Sequence, residues 1–508
     1  MCMIPGAATA SGTRAYAQAH KGLQFNPLGR TKWHVGQAGF GCYRVSAGIG
    51  AHFEAMTHAI TNGINVIDTS TNYTDGGSER LVGRVLRQAI SKNRISRDQL
   101  VVVSKVGYLQ AENYELSQAR KRQGNPFPEL VPYGKGLEHC IHPEFIQDQL
   151  SRSLDRLELE TLDLLLLHNP EYYLAWAARQ AGTLDESRNT FYQRIRQAFE
   201  YLEKEVALGR IQAYGISANT FPGHRHDAEF VSLARVWEAA QDVSENHHFR
   251  AIQLPLNLFE TGAVTMANQR NGQSVLDFAR RKQLGVLVNR PLNAFQGNRL
   301  MRLADVEQIE PHSDEEVIQA ISLLNKSEKV LWRKHLPELN LPTPLYGRVM
   351  DQISVGDQLK HHWRNFGSYG RWRQFKDGLL WPHVQGVFDF LEPYAANLES
   401  LEHWLRSHKQ KLEAAVTSVG SLYVHNAVRE ITAIKQKVRA CHVDWNMDGP
   451  LSQLAIRVLR TTSGIHTVLV GMRQARYVND VLEELARPAE AADRTDAWIQ
   501  LQAALTAL

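Results

Sequence analysis

Cysteine is scarce in this sequence, and the few cysteines are far apart. Cys2, Cys42, Cys140 and Cys441 are scattered over 508 residues, with no CxxC pair and no histidine at a zinc-finger spacing. This distribution excludes a disulfide framework or a structural zinc site as the basis of the fold, and it favours a reducing compartment. We therefore expect no metal site and a cytoplasmic location.

Long apolar runs and a strong excess of one charge are also missing. No stretch of 18 apolar residues occurs, so the sequence predicts no transmembrane helix. The 57 basic and 53 acidic residues leave a formal net charge of only +4. This balance argues against binding of nucleic acid or of a membrane surface by the chain as a whole. What remains is a globular protein with 43% hydrophobic residues.

Acidic residues are absent from the start of the chain, where Glu54 is the first. Residues 1–25 are rich in Ala, Gly and Ser/Thr, a composition that faintly resembles an organelle transit peptide. The segment lacks an apolar core long enough for secretion. We favour the alternative of a flexible N-terminal extension on a cytoplasmic protein.

Beyond this segment, short apolar runs alternate with stretches of helical periodicity. Examples are the runs NVID at 65–68 and LDLLLLH at 162–168, and the amphipathic segment 143–157. Eight such strand–helix units can be counted, and the strands are apolar on both faces, which is typical of a parallel sheet covered by helices. The pattern predicts an α/β fold, a (β/α)8 TIM barrel built from residues 26–296 and 441–508.

The alternation is interrupted between strand seven and its helix. Residues 297–440 are far longer than a normal strand–helix connection, and they contain helical patterns of their own. We expect a large, mostly helical insertion, and we expect it over the carboxyl face of the barrel because it follows the carboxyl end of a strand. A smaller insertion at about 108–140 is rich in Pro, Gly and Tyr and predicts a long loop.

The segment KHHWRNFGSYGRWRQFK at 360–376 is unusual within the large insertion. Its aromatic residues recur at every third position, which cannot remain on one face of a helix with 3.6 residues per turn. Gly367 and Gly370 further oppose a straight helix. One interpretation is an aromatic, basic lid that stacks on a sugar or holds an anionic substrate. The interpretation that we favour is that the rings anchor the insertion onto the barrel.

Four polar residues stand at or just beyond the carboxyl ends of predicted strands. Asp68 and His168 end two of the apolar runs, Lys105 ends a third, and Tyr73 lies five residues after Asp68. In a parallel barrel, such positions converge on one face. A tyrosine beside a lysine and an aspartate can donate a proton near neutral pH, and a histidine can hold the oxygen that receives it. These four residues are the predicted catalytic group.

The segments that carry these residues resemble the aldo-keto reductase family. INVIDTSTNYTDGGSERLVG at 64–83 contains the Asp, the Tyr five residues later, and Gly-Ser-Glu at the start of a helix. QLPLN at 253–257 and VLVGMRQARYVND at 468–480 follow in the family's order. The resemblance covers roughly 26–296 and 441–485, and it implies a reductase that binds a nicotinamide cofactor without a Rossmann domain; no GxGxxG is present.

The resemblance implies roles for individual residues. Tyr73 would protonate a carbonyl oxygen as hydride arrives, and His168 would orient that oxygen. Lys105, paired with Asp68, would lower the tyrosine pKa from about 10. An arginine at the adenosine end would suit a 2′-phosphate, so NADP(H) is slightly favoured over NAD(H). The implied cofactor residues are Ser217, Asn219 and Gln253 at the nicotinamide, and Gly471, Arg473 and Arg476 at the adenosine end.

Three positions depart from the family's pattern. Ala218 separates a Ser and an Asn that are usually adjacent, Leu256 replaces the aromatic that usually stacks on the nicotinamide, and Val481 stands where an asparagine often contacts adenine. A leucine can pack against the ring but offers no π face. These departures leave the choice between NADPH and NADH open.

The expected function is NAD(P)H-dependent interconversion of a carbonyl (aldehyde, ketone or sugar) and an alcohol by hydride transfer, with Tyr73 as general acid/base. The partner is then a small molecule. One alternative is a nicotinamide-binding regulatory subunit that docks a partner through its insertion. Another is an epimerase or eliminase that retains its cofactor. The sequence leaves the substrate, the direction of the reaction and the oligomeric state open.

Overall fold

Eight parallel strands close into a barrel in the part of the chain that the structure describes, residues 3–297 and 299–507 of a computed structural model. Neighbouring strands are paired in parallel all the way around. The predicted (β/α)8 barrel is therefore confirmed. Barrel strands 1 to 8 are, in chain order, Ala38–Gly41, Val66–Asp68, Val101–Val106, Leu162–His168, Ile211–Ser217, Phe249–Pro255, Gly285–Asn289 and Thr467–Val470.

A helix follows each barrel strand and covers the outside of the sheet. In the helix Pro143–Leu157, the buried residues recur at helical spacing, as the amphipathic pattern predicts. Among the described residues, no helix is both long and apolar enough to cross a membrane. The helices that follow strands 1 to 8 are, in order, Gly50–Thr61, Gly77–Ser91, Pro143–Leu157, Leu184–Ala207, Leu233–Val243, Val275–Arg281, Leu451–Arg460 and Ala475–Leu485. Three further helices are the short Tyr172–Ala177 and Gly262–Thr265 and the terminal Thr495–Thr506.

Alternate residues of the strands fill the inside of the barrel with aliphatic side chains. Val101 and Val103 of strand 3 and Leu164 and Leu166 of strand 4 belong to one buried cluster with residues of the other strands, as the two-residue period of a strand requires. An antiparallel hairpin of Phe25–Pro27 and His34–Gly36 adds Leu28, Trp33 and Val35 to this cluster. The backbone N–H of Arg30 donates to the carbonyl of Gln283, just before strand 7. The hairpin therefore closes the amino-terminal end of the barrel, opposite the strand ends that carry the polar residues.

The N-terminal segment is ordered, which differs from the flexible extension that composition predicts for residues 1–25. Ala10–Ala19 form a helix, and the Thr9 side chain caps its first turn by accepting a backbone N–H at 2.9 Å. Tyr16 is buried and donates its hydroxyl to the carbonyl of Ile60 at 2.7 Å. The low charge of the segment suggests flexibility, but the helix cap and the buried tyrosine fix its position. Its first two residues lie outside the described part of the chain.

The smaller insertion after strand 3, predicted as a long loop, has secondary structure of its own. A helix, Ala111–Arg122, is followed by an antiparallel hairpin of Val131–Gly134 and Leu137–His139, to which Tyr108–Leu109 adds a third strand. The hairpin turns at Gly136, which has a φ of +72°, a conformation that suits glycine. The glycines and prolines of the segment correctly indicate a turn. The pairing of its strands could not be predicted from the sequence, because it depends on contacts distant in the chain.

The large insertion corresponds to a second compact unit, Leu300–Gln436, whereas the rest of the described chain forms the first. The mostly helical character predicted for 297–440 is confirmed. Strands Asn293–Gln296 and Arg299–Arg302 precede helices Asp314–Val330, Leu331–His335, Leu336–Glu338, Thr343–Ile353, Val355–His362, Tyr369–Phe375, Lys376–Leu380, Trp381–Ala395 and Glu399–Cys441.

The aromatic residues of 360–376 pack inside this helical unit. Trp363 and Trp372 are buried in its hydrophobic core, and the other rings of the segment pack against that core. The helix is broken where the glycines predict, since Gly367 has a φ of +71°. The hydroxyl of Tyr423 donates to the carbonyl of Trp363 at 2.7 Å and holds the break in place. The rings therefore build the core of the unit itself, a role that neither interpretation anticipated.

Two short π-helical turns interrupt the helices of the same unit. Leu331–His335 and Lys376–Leu380 are each followed, two residues later, by a proline: Pro337 and Pro382. Proline has no N–H, and its ring collides with the carbonyl four residues earlier in an α-helix. A wider turn just before each proline relieves that collision and lets the helix continue.

Candidate active site

Three of the four predicted catalytic residues are carried by the ends of neighbouring barrel strands. Asp68 is the last residue of strand 2, Lys105 is the penultimate residue of strand 3, and His168 is the last residue of strand 4. Tyr73 follows in the loop that leads to the helix Gly77–Ser91. The structure brings these four side chains together at the carboxyl ends of the strands, as the strand-end argument predicts.

Lys105 lies at the centre of this group. Its side chain is fully buried, and Nζ donates to Asp68 Oδ2 at 2.7 Å, to the carbonyl oxygen of Thr69 at 2.9 Å and to the hydroxyl oxygen of Tyr73 at 3.3 Å. An ammonium group has three N–H donors, and these three acceptors use all of them. The arrangement places a fixed positive charge against the tyrosine hydroxyl.

Burial and charge act in opposite directions on the pKa values of this group. Burial would lower the pKa of Lys105, but the charge of Asp68 and the contact with Tyr73 raise it above its usual 10.5. Burial also raises the pKa of Asp68, against the opposing effects of Lys105 and Gln253. Lys105 therefore keeps its proton at neutral pH.

The pKa of Tyr73 differs from the value expected from the sequence. Burial raises this pKa above 10, and the opposing effect of Lys105 does not outweigh it. The expectation that Lys105 lowers the tyrosine pKa describes the contribution of the lysine correctly but is wrong for the net shift. Tyr73 is therefore protonated in the free protein, and a protonated hydroxyl is the form that a proton donor needs.

His168 is buried beside the tyrosine with a neutral ring. Nδ1 lies 3.1 Å from Ser70 Oγ, and the ring packs edge-on to Tyr108 with centroids 4.7 Å apart. Burial and then the charge of Lys105 hold the pKa of His168 well below 6.5. At neutral pH the ring therefore has one N–H and one lone pair.

Sequence reasoning missed a wall of aromatic residues next to His168. His139, from the small sheet, contacts the carbonyl oxygen of His168 through Nε2 at 2.7 Å, and burial lowers its pKa to about 4. The Tyr108 ring meets that of Tyr172 edge-on at 5.1 Å, and Tyr172 stacks on Tyr133 at 4.1 Å. The signal in the sequence was the enrichment of 108–140 in tyrosine (Tyr108, Tyr114 and Tyr133).

Two of the implied nicotinamide residues form a network with Asp68 of the predicted catalytic group. Ser217, at the end of strand 5, donates its hydroxyl to Gln253 Oε1 at 3.2 Å, and Gln253 Nε2 donates to Asp68 Oδ1 at 2.7 Å. Asn289, at the end of strand 7, donates Nδ2 to the same Oε1 at 3.3 Å, and its own Oδ1 is buried without a partner among the described residues. The structure thus brings Ser217 and Gln253 to the catalytic group.

Asn219 is held through its backbone by a buried carboxyl group. Its N–H donates to Glu171 Oε1 at 2.7 Å, whereas Glu171 Oε2 has no hydrogen-bond partner in the described part of the chain. Glu171 is 2% exposed, and burial raises its pKa to about 8. The sequence permits two interpretations of Glu171, a residue that shapes the pocket and a part of a structural turn after His168. Its burial could not be predicted, since a glutamate in a loop is ordinarily solvated.

The implied adenosine residues lie in the short segment between strand 8 and the helix Ala475–Leu485. A side chain added at Gly471 would meet no atom within 4 Å, so the backbone there borders open space. Arg476 is exposed and donates Nε to Gln474 Oε1 at 2.8 Å, and the positive charge of Arg473 contributes to lowering the pKa of His52. A helix N-terminus with arginines beside it can bind an anion.

All three departures from the family pattern are buried. Ala218 and Leu256 are fully buried, and Val481 lies on the inner face of its helix. None of the three presents surface that could pack against a bound ring. Among the described residues, no group of three or more His, Cys, Asp or Glu side chains is arranged to hold a metal ion.

These features define a class of protein, namely a (β/α)8 barrel with a buried Asp-Lys-Tyr-His group at the carboxyl ends of its strands. A sequence profile described as the Aldo/keto reductase family matches residues 50–333, which is more than half of the chain. The chain belongs to the aldo-keto reductase family.

Individual relatives are distant. The NADH-specific methylglyoxal reductase of Escherichia coli (strain K12) is 25% identical over 206 residues, which are 39% of this chain and 52% of that protein. The NAD(P)H-dependent D-xylose reductase of Scheffersomyces stipitis is 25% identical over 223 residues, or 43% and 57%. The chain spans about half the length of these curated relatives. A solved aldo-keto reductase from Bacillus halodurans, in its holo form, aligns over 94% of this chain and 96% of its own with a TM-score of 0.43 and 14% identity.

Proposed function

We propose that this protein interconverts a carbonyl compound and an alcohol by hydride transfer, using NAD(P)H. The observation that carries this proposal is the position of Lys105 Nζ between Asp68 Oδ2 and the hydroxyl of Tyr73. A bound nicotinamide supplies the hydride to the carbonyl carbon. Tyr73 donates its proton to the carbonyl oxygen, and His168 orients that oxygen.

Lys105 makes the proton transfer from Tyr73 possible. Loss of the proton leaves a phenolate in a buried place, which is unfavourable unless a positive charge compensates it. Lys105 Nζ lies 3.3 Å from that oxygen, so a charge-assisted hydrogen bond stabilises the phenolate. Asp68 holds the ammonium group in position by its 2.7 Å ion pair. In the reverse direction, the same phenolate accepts the proton of an alcohol.

The residues of this chain fit a nicotinamide cofactor. The buried Asn289 Oδ1 has no partner in the described residues, and the backbone at Gly471 borders open space. Polar groups without partners and free space are what a carboxamide and a dinucleotide need. We assign Ser217, Asn219 and Gln253 to the nicotinamide, and Gly471, Arg473 and Arg476 to the adenosine end.

We infer the form of the cofactor from residues 471–476, which we call the arginine segment because they contain Arg473 and Arg476. One relative is named for NADH and another for NAD(P)H, so family membership leaves both forms open. Two arginines near the start of the helix Ala475–Leu485 suit a 2′-phosphate, since guanidinium binds phosphate oxygens in a forked geometry. We therefore assign NADP(H) as the favoured form.

The substrate that we propose is a small carbonyl compound or a sugar. The relatives are named for methylglyoxal and D-xylose. Tyrosines such as Tyr108 and Tyr172 combine an apolar ring face with a polar hydroxyl, which suits a molecule with both C–H and O–H groups. The free, buried thiols of Cys42 and Cys140 suit a reducing compartment such as the cytoplasm. That the helical insertion lies over the carboxyl face of the barrel stays a prediction.

Titration of the full chain with NADPH and NADH, followed by nicotinamide fluorescence, tests the cofactor site. We expect saturable binding with the tighter affinity for NADPH. Turnover is then measured with methylglyoxal and with D-xylose as probe carbonyls. Failure to bind either nucleotide would contradict the assignment of the cofactor residues. Binding without turnover of any carbonyl would contradict the proposed reaction and would support a nicotinamide-binding regulatory protein.

A further inference from the structure

The helical unit Leu300–Gln436 contains a cavity of about 660 Å³ between two of its helices. One wall comes from the end of the helix Asp314–Val330 and from the π turn Leu331–His335, and the other from the amino-terminal part of the helix Glu399–Cys441. On both walls the lining residues recur at intervals of three or four, which is the spacing of one helix face. Small-molecule sites have volumes of about 300–1,000 Å³, so the cavity is large enough for a ligand. None of the four predicted catalytic residues lines it, and the proposed function leaves it without a role.

Hydrogen bonds between the two walls fix the shape of this cavity. The buried Trp404 donates Nε1 to the carbonyl oxygen of Ser327 at 2.9 Å, and His408 Nδ1 lies 3.0 Å from Ser327 Oγ. The Trp404 ring also stacks on that of His408, with centroids 4.5 Å apart. Buried polar contacts of this kind, when satisfied, make the surrounding structure rigid. The cavity is therefore formed by folding and does not depend on a ligand.

Positive charge dominates the lining of the cavity. Lys326, Lys334 and Lys411 line it, against the single carboxylate of Glu399. None of these lysines forms an ion pair with a residue that the structure describes, and Lys411 instead donates to Ser407 Oγ at 2.5 Å. A cleft lined by charges of one sign raises the local concentration of the opposite ion. The cavity is therefore suited to an anion.

A buried histidine with an unsatisfied nitrogen belongs to the same lining. His335 is 3% exposed, and its Nδ1 has no hydrogen-bond partner in the described part of the chain. Glu338 Oε2, at 4.0 Å, is too far away for a hydrogen bond. Buried polar atoms are ordinarily satisfied in a native fold. An unsatisfied nitrogen in the wall of a cavity is explained by a polar group that the cavity receives.

Apolar side chains form another part of the lining. Leu323 and Val330 both line the cavity, and they are 45% and 43% exposed. An apolar ligand group would remove this surface from water, which is favourable. We propose that the cavity binds a small organic anion, namely a carboxylate on an aliphatic chain, with its charge among the three lysines and its chain against Leu323 and Val330.

Isothermal titration calorimetry of the full chain tests the proposal with octanoate as the probe. We expect one saturable site. Octan-1-ol lacks the charge and inorganic phosphate lacks the chain, so each should bind at least about tenfold more weakly. Hexanoate is shorter by two methylene groups and should also bind about tenfold more weakly. Equal affinity for phosphate would show a site for any anion, and equal affinity for octan-1-ol would show an apolar groove; either result, or no binding of octanoate, would overturn the proposal.

Two pairs of lysine variants assign the bound anion to this cavity. Lys326→Gln with Lys411→Gln removes one charge from each wall and should weaken octanoate binding about tenfold. The matched control is Lys329→Gln with Lys409→Gln, which removes one charge from each of the same two helices at exposed residues that do not line the cavity. Equal weakening by both pairs would show a general effect of charge. Unchanged affinity in the first pair would show that octanoate binds elsewhere, and both results would contradict the site.

The anion site and the proposed function can fail independently of each other. The calorimetric titration requires neither nucleotide nor turnover. If octanoate binds as expected but no carbonyl is reduced, the anion site stands and the proposed function fails. If a carbonyl is reduced but octanoate does not bind, the proposed function stands and the anion site fails.

Discussion

The catalytic group and the arginine segment differ in what holds them. Asp68 and Lys105 are buried and joined by a 2.7 Å ion pair, whereas Arg476 is exposed and contacts its own neighbours in sequence. Burying a charge is costly unless it is paired with good geometry, so correct folding requires the first arrangement to form. Exposed arginines are under no such constraint, and a bound anion would order them. Folding therefore fixes the geometry of the predicted catalytic group, whereas a bound anion would fix the geometry of the arginine segment.

Tyr73 is the proposed proton donor, and it lies in a loop outside the barrel strands. Tyr73→Phe should lower kcat about 10²- to 10⁴-fold, because the proton donor is lost, and should leave nucleotide affinity nearly unchanged. The lost hydrogen bond to Lys105 should cost only about 1–3 kcal/mol of stability, so the variant should still fold. Steady-state kinetics measure kcat, and a fluorescence titration measures the nucleotide affinity. The matched control is Tyr43→Phe, since Tyr43 is 63% exposed and its ring lies 5.4 Å from that of Tyr73. Loss of cofactor binding together with activity would contradict the assigned role.

Removal of the buried carboxylate tests whether folding depends on the catalytic pair. Asp68→Asn leaves Lys105 buried without its counter-charge and should lower the free energy of unfolding by about 3–5 kcal/mol. The matched control, Glu200→Gln, breaks an exposed pair with Arg196 and should cost less than about 1 kcal/mol. Urea unfolding measures both changes. Equal, small losses of stability in the two variants would show that Lys105 is solvated and that folding does not require its pair with Asp68.

Glu171 is a buried acid of a different kind from Asp68, because no cation among the described residues acts on it. Its pKa of about 8 lies above the ordinary 4.5, so its protonated form is favoured by folding. This contribution to stability is fully present below about pH 4.5 and is lost as the pH rises through 8, with a slope of up to ~1.4 kcal/mol per pH unit. Glu171→Gln should flatten that part of the pH profile, measured by unfolding at a series of pH values. Glu328 of the helical unit, with a pKa of about 8, continues to contribute in the variant. A slope as steep as in the unmodified protein would refute the burial of Glu171.

The arginines of residues 471–476 are exposed or half-buried, so their removal should change binding and leave folding intact. Arg473→Ala with Arg476→Ala should weaken NADPH binding about tenfold through the loss of charge-assisted hydrogen bonds to the 2′-phosphate, and should leave NADH binding and stability unchanged. Fluorescence titration with both nucleotides measures the difference. Arg406→Ala, at an exposed arginine of the helical unit, is the control. Equal weakening of NADH and NADPH binding would exclude a contact with the 2′-phosphate.

Much of the barrel follows from local patterns in the sequence. The run at 162–168 and the amphipathic segment 143–157 coincide with a strand and a helix, because periodicity is a property of neighbouring residues. The helix Ala10–Ala19 and the small sheet around Tyr108 could not be predicted in this way. Their stability depends on contacts far along the chain, such as that between Tyr16 and the carbonyl of Ile60.

The site shows the same division between local and distant information. Asp68, Lys105 and His168 could be found because the ends of parallel strands converge. The sequence offers no role for Ser70 and two for Glu171, shaping the pocket or forming a structural turn, since neither residue type is unusual in a loop. Their places in the site come from burial and from contacts with His168 and with the backbone of Asn219, which no periodicity records.

The π turns that precede Pro337 and Pro382 are positions where the chain can tolerate the deletion of one residue. A π hydrogen bond spans one residue more than an α hydrogen bond, so the turn at Leu331–His335 contains one surplus residue in an otherwise regular helix. Deleting one residue there, together with Pro337→Ala, should restore a continuous α-helix with the following residues in their original orientation. The same deletion within Asp314–Val330 would rotate everything after it by about 100° and turn buried residues such as Leu336 toward solvent. The turn is therefore a place where the protein can lose a residue without losing its core.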